Sequence, residues 1–141
     1  MEKNDTLLQA FEWYLPDDSQ HWNKLKVLAP SFSNLGVTVV WLPPAYKGAG
    51  GVHDVGYGVY DLYDLGEFDQ KGTIPTKYGT KQEYLDAIDA LQKENILVLA
   101  DIVLNQKMGG DTEETIDVIK SDPNNRNEEI GGDYQITAWT K

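Results

Sequence analysis

Three apolar segments along the chain have the length and pattern of β-strands. Residues 6–12 (TLLQAFE) form a short, largely apolar run. Residues 37–42 (VTVVWL) and 96–104 (ILVLADIVL) are almost continuously apolar and rich in β-branched side chains, without alternation of polar and apolar positions. Continuous runs of this kind are typical of strands in a parallel sheet that is covered on both sides. The pattern therefore predicts three strands, the second and third of them buried on both faces.

Two helices are predicted between these strands. In the first interval, apolar residues recur at spacings of three and four, at Trp22, Leu25, Leu28, Phe32 and Leu35. The candidate N-caps of this helix are Asp17, Asp18 and Ser19. Gly36 is a natural C-terminal stop. Pro30 costs a backbone hydrogen bond, so we expect it to kink or divide the helix.

The second helix begins with a capping box formed by residues 80–83, and its apolar stripe ends near Asn95. Strands and helices thus alternate from the first apolar run to the third. Alternation of this kind implies parallel strands joined by right-handed crossovers. The sequence therefore predicts an α/β fold.

A long connection interrupts this alternation. Residues 45–78 are rich in Gly, with short strand-like pieces predicted around residues 60–68. A connection of this length inside a compact domain is uncommon unless it has a function. We therefore expect functional residues on it.

The pattern changes after the third predicted strand. Residues 112–120 are ambiguous between helix and strand, and residues 121–133 are rich in turn-forming residues. Residues 134–139 have the pattern of a last strand. We therefore predict that the tail is a small irregular or antiparallel excursion that leaves the third strand.

Charge and cysteine content exclude several classes of function. The chain has 141 residues, with 23 acidic residues against 12 basic ones and a net charge of −11. Binding to phosphates needs clustered cations, so the acid excess argues against a nucleic-acid partner. The absence of Cys excludes disulfides, thiolate metal sites and cysteine nucleophiles.

Hydropathy argues against a membrane partner. No segment approaches the roughly 20 apolar residues that span a bilayer. The opening residues, MEKNDTLLQAFEWYL, contain a single Lys and too short an apolar stretch for a signal peptide. We therefore expect a cytoplasmic protein, with a trimmed secreted protein as the alternative.

Candidate chemistry lies where the predicted strands end, because polar residues there face the ligand crevice of parallel α/β proteins. Asp101 lies inside an apolar run, where a carboxylate must be paired or hydrogen-bonded; it is either functional or structural. Asn105 either offers an amide oxygen to a hard cation or is an ordinary turn residue. Tyr57, flanked by glycines, is either a core residue or a ring on which a ligand stacks.

The chain is also rich in aromatic residues, with four Trp, eight Tyr and three Phe, many of them beside Gly or Asp. Core packing is the ordinary explanation for such residues. Aromatic rings on loops beside carboxylates also suit a sugar site, where rings stack on apolar sugar faces and carboxylates bind hydroxyl groups.

Four segments together resemble a known family. They are QAFEWY (9–14), VVWLPPAYKG (39–48), DVGYGVYDLYDLGEFDQKGTIPTKYGT (54–80) and LADIVLNQK (99–107). They are similar to the N-terminal portion of the alpha-amylase family of glycoside hydrolases (family thirteen), and most similar to its bacterial liquefying and cytoplasmic members. The resemblance runs through essentially the whole chain, including the DPNNRN and ITAWTK segments.

The resemblance implies a fold, an activity and a set of site residues. The fold is α/β, namely the first three βα units of a TIM (β/α)₈ barrel over residues 1–104 plus the start of an inserted small β-rich domain over residues 105–141. The activity is retaining hydrolysis of α-1,4-glucosidic bonds in starch and glycogen, with calcium as a structural cofactor and an α-glucan or maltooligosaccharide as partner. The implied substrate-binding residues are Tyr57, Gln106, Asp54, Trp13, Gln9 and Asp101, and the implied calcium ligand is Asn105.

Two departures from the family pattern limit what the chain can do. Gln106 stands where the family carries a His that binds the sugar being cleaved. The nucleophile and the acid/base carboxyl, which retaining enzymes hold about 5–5.5 Å apart, are expected beyond residue 141. A whole barrel needs about 250 residues.

Two alternatives to part of an enzyme therefore stay open. One is a non-catalytic module that binds glucan or complements the missing remainder of the barrel. The other is a small three-layer α/β domain with an unspecified ligand, which a crossed-over central strand would indicate.

Overall fold

The structure of the chain, a computed structural model, describes residues 4–108 and 110–139. The opening Met-Glu-Lys and the last two residues of the ITAWTK segment lie outside the described residues. The chain divides into two compact units, residues 1–108 and residues 109–141. The division thus falls after residue 108, whereas the sequence places a domain boundary after residue 104.

Helices and strands alternate through the first unit. In chain order the elements are β1 (Leu7–Gln9), α1 (His21–Asn34), β2 (Val39–Leu42), β3 (Lys47–Gly48), a 3-10 helix (Gly51–His53), β4 (Val59–Asp61), α2 (Lys81–Lys93) and β5 (Leu97–Ala100). Strands β1, β2 and β5 form a parallel sheet in that order, so no strand crosses over another. The predicted parallel α/β arrangement is confirmed over these strands.

The sheet packs one face against the two helices. Val40 and Leu42 of β2 are fully buried in a core shared with Trp22, Leu25 and Leu91. The opposite face is open, and Leu97 and Leu99 of β5 are 63% and 49% exposed. The prediction of burial on both faces is therefore wrong for β5. The reason is that, in residues 4–108, only the helical layer covers the sheet.

The first and third strands are shorter than predicted. β5 ends at Ala100, so Asp101 lies just beyond the strand and not inside it. β1 ends at Gln9, within the predicted run of residues 6–12. Because the strands are parallel, Gln9 and Asp101 lie at the same edge of the sheet.

The first helix differs from its prediction at its N-terminus. α1 is one helix that contains Pro30, so the proline does not divide it. Its N-cap is Gln20, and the three predicted caps are wrong. Ser19 instead donates its hydroxyl to the carbonyl of Thr76 at 2.8 Å.

The remaining helix ends follow the predicted signals. Gly36 ends α1 with a φ of +81°, and its N–H donates to the carbonyl of Ser33, as in a Schellman motif. At the start of α2, the Thr80 N–H donates to Glu83 Oε2 at 2.8 Å, and the Glu83 N–H donates to Thr80 Oγ1. The predicted capping box is confirmed.

A buried ion pair organises the long connection. Lys47 of β3 and Asp64 have fully buried side chains, with Nζ 3.4 Å from Oδ2. The same ammonium donates to the carbonyl oxygens of Phe68, Thr73 and Ile74 at 3.3, 2.7 and 2.7 Å. We refer to this arrangement as the Lys47 cage. It ties residues 64–74 to the antiparallel pair formed by β3 and β4.

The second unit contains an antiparallel pair of strands, β6 (Glu113–Val118) and β7 (Tyr134–Trp139). The ambiguous stretch over residues 112–120 thus contains a strand, and the predicted last strand is confirmed. The segment between the two strands contains an isolated bridge between Ser121 and Glu129.

Candidate functional site

A cavity of about 330 Å³ opens near the carboxyl ends of β1 and β2. Aromatic rings and polar side chains line it together: Gln9, Phe11, Glu12, Trp13, Trp41, Val55, Tyr57 and Tyr78. Both the volume and the mixture of rings with a few polar groups are usual for sites that bind small ligands. Three of the predicted site residues, Gln9, Trp13 and Tyr57, meet in this cavity.

Tyr57 and Asp101 form a hydrogen-bonded pair, in which the phenol Oη donates to Oδ2 at 2.8 Å. Burial of the phenol, together with the hydrogen bond and charge of Asp101, raises the pKa of Tyr57 to about 12. The phenol therefore stays protonated at neutral pH and acts as a donor. Asp101 gains the partner that a half-buried carboxylate requires.

The rings of Trp13 and Tyr57 lie near each other in nearly parallel planes. Their planes differ by 4°, and their centroids lie 6.3 Å apart. Trp13 is 62% exposed, so much of its indole is available to a ligand. We refer to these two rings as the aromatic platform. Flat rings of this kind offer apolar faces on which a ligand can stack.

Asp54 organises the loop that carries Tyr57. Its Oδ1 accepts the N–H groups of Gly56 and Gly58 at 2.8 and 3.2 Å, and its Oδ2 accepts the N–H of Gly50 at 3.2 Å. These bonds fix the backbone on both sides of Tyr57. In this structure the carboxylate of Asp54 therefore holds the backbone of this loop through hydrogen bonds.

Gln106 lies beyond β5 and contacts the same loop. Its Nε2 donates to the backbone carbonyl of Tyr57 at 2.8 Å. Two residues later, the N–H of Met108 donates to the carbonyl of Val59 at 2.7 Å. The segment that leaves β5 is thus fixed alongside residues 57–59.

Asn105, the implied calcium ligand, is exposed in the segment beyond β5. In the part of the chain that the structure describes, no three His, Asp or Glu side chains are grouped so that they could hold a metal ion. Calcium takes roughly six to eight oxygen ligands, of which Asn105 would supply one. The calcium site stays a prediction.

Comparison with known proteins identifies the family. The chain is 56% identical to an alpha-amylase of Geobacillus stearothermophilus over 98% of its length. It is 52% identical to an alpha-amylase of Bacillus licheniformis over 97% of its length, and 50% identical to the cytoplasmic alpha-amylase of Escherichia coli over 99%. The chain belongs to the alpha-amylase family.

The match to alpha-amylases covers only part of those enzymes. The chain spans 25%, 27% and 28% of the three relatives, about a quarter of each. Among solved structures, a truncated alternansucrase from Leuconostoc mesenteroides matches 94% of this chain and 13% of its own, with a TM-score of 0.75 and 26% identity. Another alternansucrase structure with the same TM-score is a complex with isomaltotriose. No protein-family model matches the chain.

Several cavity residues were not identified from the alpha-amylase resemblance. Glu12 lines the cavity, and its Oε2 accepts the N–H of Tyr14 at 2.6 Å. Trp41 pairs in register with Gln9, so strand alternation places both side chains on one face. The position of Trp41 near the end of the predicted strand over residues 37–42 is the sequence signal that could have indicated it.

Neither helix in the described part of the chain has the length and hydropathy needed to cross a bilayer.

Proposed function

We propose that this chain is part of a retaining glycoside hydrolase that cleaves α-1,4-glucosidic bonds in starch and glycogen. In this proposal it supplies glucan-binding side chains, and the catalytic carboxylates come from beyond residue 141. The observation that carries the proposal is the aromatic platform, with Tyr57 held by Asp101 at the carboxyl edge of a parallel sheet. The amylase relatives and the isomaltotriose complex of alternansucrase support it.

The predicted substrate-binding side chains in and beside the cavity have the following roles in this proposal. The rings of Trp13 and Tyr57 stack on the apolar faces of glucose units, while Gln9 and Asp101 face the hydroxyl groups. Asp54 keeps the Tyr57 loop in place before the glucan arrives. A site fixed in advance in this way loses less conformational freedom on binding.

We also propose how the chain fits into a larger enzyme. Strands β1, β2 and β5 with helices α1 and α2 would belong to the first three βα units of a (β/α)₈ barrel, and residues 105–141 would begin an inserted domain. Asn105 would supply one oxygen to a structural calcium ion that is completed by residues outside this chain. The cytoplasmic alpha-amylase of Escherichia coli, 50% identical, supports a cytoplasmic location.

Titration with maltohexaose tests the glucan site. We expect the sugar to quench the fluorescence of Trp13, and Tyr57→Ala to weaken binding by about tenfold or more, since stacking on one ring is worth about 1–3 kcal/mol by analogy with bases on aromatic side chains. Tyr63→Ala is the matched control, because Tyr63 is 88% exposed and does not line this cavity. Equal affinity for maltohexaose in the wild type and in Tyr57→Ala would show that the aromatic platform does not bind the glucan.

An assay on the chain alone tests the position of the catalytic carboxylates. We expect no reducing sugar from soluble starch, since retaining hydrolysis needs a nucleophile and an acid/base carboxyl. Release of reducing sugar by the pure chain would place both groups within these 141 residues.

A second candidate function is complementation of the missing part of a barrel. The open face of the sheet favours it, because Leu7, Leu97 and Leu99 are 57%, 63% and 49% exposed. Co-expression with the remaining portion of a related alpha-amylase should then restore starch hydrolysis. Absence of activity, with both parts soluble and folded, would contradict this function.

A further inference from the structure

Several hydrogen bonds hold Tyr57 and its neighbours in place, and one of these bonds has no role in the glucan site proposed above. Asp101 holds the phenol, and Asp54 accepts the N–H groups of Gly56 and Gly58, the residues on either side. The carbonyl oxygen of Tyr57 is held from a different direction, by Nε2 of Gln106 at 2.8 Å.

Gln106 reaches this carbonyl from the segment that leaves β5. Met108 N–H donates to the carbonyl of Val59 at 2.7 Å, so the same segment is also attached by its own backbone. The side chain of Gln106 therefore starts from a fixed position. A glutamine amide can donate through its nitrogen, which is what a carbonyl oxygen requires.

We infer that Gln106 is a positioning residue, which acts on the glucan through Tyr57 and not by its own contact with the sugar. This inference rests on the proposed glucan site. Its amide binds the carbonyl of the peptide group between Tyr57 and Gly58, whose N–H is bound by Asp54, and together the two bonds fix this peptide plane. The plane sets the direction of the Tyr57 ring toward Trp13. Without the hydrogen bond the ring samples more orientations, and the glucan must order it on binding.

Three variants separate positioning from direct contact. Gln106→Met keeps the length of the side chain and removes the donor. Gln106→Glu also removes the donor but keeps acceptor oxygens for sugar hydroxyls, and its charge faces the Tyr57 carbonyl. Gln82→Met is the matched control, because Gln82 lies on α2 and its Nε2 donates to Asp86 at 2.8 Å.

Affinity for maltohexaose is the first measurement. A neutral hydrogen bond contributes about 0.5–1.5 kcal/mol, so we expect Gln106→Met to weaken binding by about two- to twelvefold. Gln106→Glu should weaken it at least as much, and Gln82→Met should leave it unchanged. Wild-type affinity in Gln106→Glu would show that an acceptor oxygen at this position contacts the sugar, and would overturn the inference.

The amide signal of Gly58 in a ¹⁵N–¹H spectrum of the sugar-free chain is the second measurement. Gly58 shares its peptide group with the Tyr57 carbonyl, so its signal should move in both Gln106 variants and stay in place in Gln82→Met. An unmoved signal in the Gln106 variants would overturn the inference. If the wild-type chain binds no maltohexaose, the proposed function fails, and the Gly58 signal alone decides whether Gln106 positions Tyr57.

Discussion

Lys47→Met is expected to destabilise the first unit by about 3–5 kcal/mol, the usual cost of breaking a buried ion pair on one side. The substitution keeps the length of the side chain and removes its charge. Asp64 would then be a fully buried carboxylate without its cation. The carbonyl oxygens of the Lys47 cage would lose their donor as well.

Urea unfolding followed by tryptophan fluorescence measures this effect. Lys26→Met is the matched control, because Lys26 pairs with Asp86 at 2.8 Å on the surface and both side chains are partly exposed. Exposed pairs contribute little to stability. Equal unfolding midpoints for the two variants would mean that the Lys47 cage does not hold the fold together.

The same pair predicts a pH dependence. Burial raises the pKa of Asp64, but the N–H groups of Glu67, Gly66 and Phe68 and the charge of Lys47 outweigh burial and hold it below its ordinary value. A carboxyl whose folded pKa is lowered stabilises the fold above its unfolded pKa and loses this effect as the pH falls through the folded pKa. We therefore expect the stability gap between the wild type and Asp64→Asn to narrow below about pH 4.

Gly48→Ala is the second substitution with a large expected effect. The added methyl group would lie 2.2 Å from Cγ and 2.6 Å from Oδ1 of Asp54, well inside contact distance. Asp54 would have to move, and the N–H groups of Gly56 and Gly58 would lose their acceptor. Overpacking together with lost buried hydrogen bonds should destabilise the first unit by about 3 kcal/mol.

Gly50→Ala is the control for this prediction. It lies on the same loop, and its added methyl group would meet Asp54 only at ordinary distances of 3.5 and 3.6 Å. Removing the obstacle gives a second check. In an Asp54→Ala background Gly48→Ala should cost much less, and urea unfolding of the double variant measures the coupling. An undiminished cost would mean that another neighbour opposes the methyl group.

Local signals in the sequence predicted the helix ends correctly where the partners lie within one turn. Thr80 and Glu83 cap α2 because both groups belong to the same few residues. Two of the three predicted caps of α1 were wrong because tertiary contacts divert them. Asp17 binds His53 and Lys77, and Ser19 bonds to Thr76, all far along the chain.

For contacts between distant parts of the chain, the sequence predicted at most which residue needs a partner and not which residue supplies it. The sequence indicated that Asp101 needs a partner, and the fold supplies Tyr57, far away along the chain. It gave no indication of the Lys47 cage, because the cage uses backbone carbonyls, which any residue provides. The burial of β5 was overestimated. An apolar run indicates that both faces of a strand are suited to burial, but it does not show whether another layer of the protein covers each face.

The full enclosure of Lys47 also makes it a reporter of local motion. An amine-reactive reagent can meet this ammonium only after residues 64–74 move away from β3, whereas exposed lysines such as Lys93 react directly. The ratio of the two labelling rates, read by mass spectrometry of peptides, therefore measures how often this part of the fold opens. The chain thus carries its own chemical probe of local unfolding, within the connection that carries Tyr57.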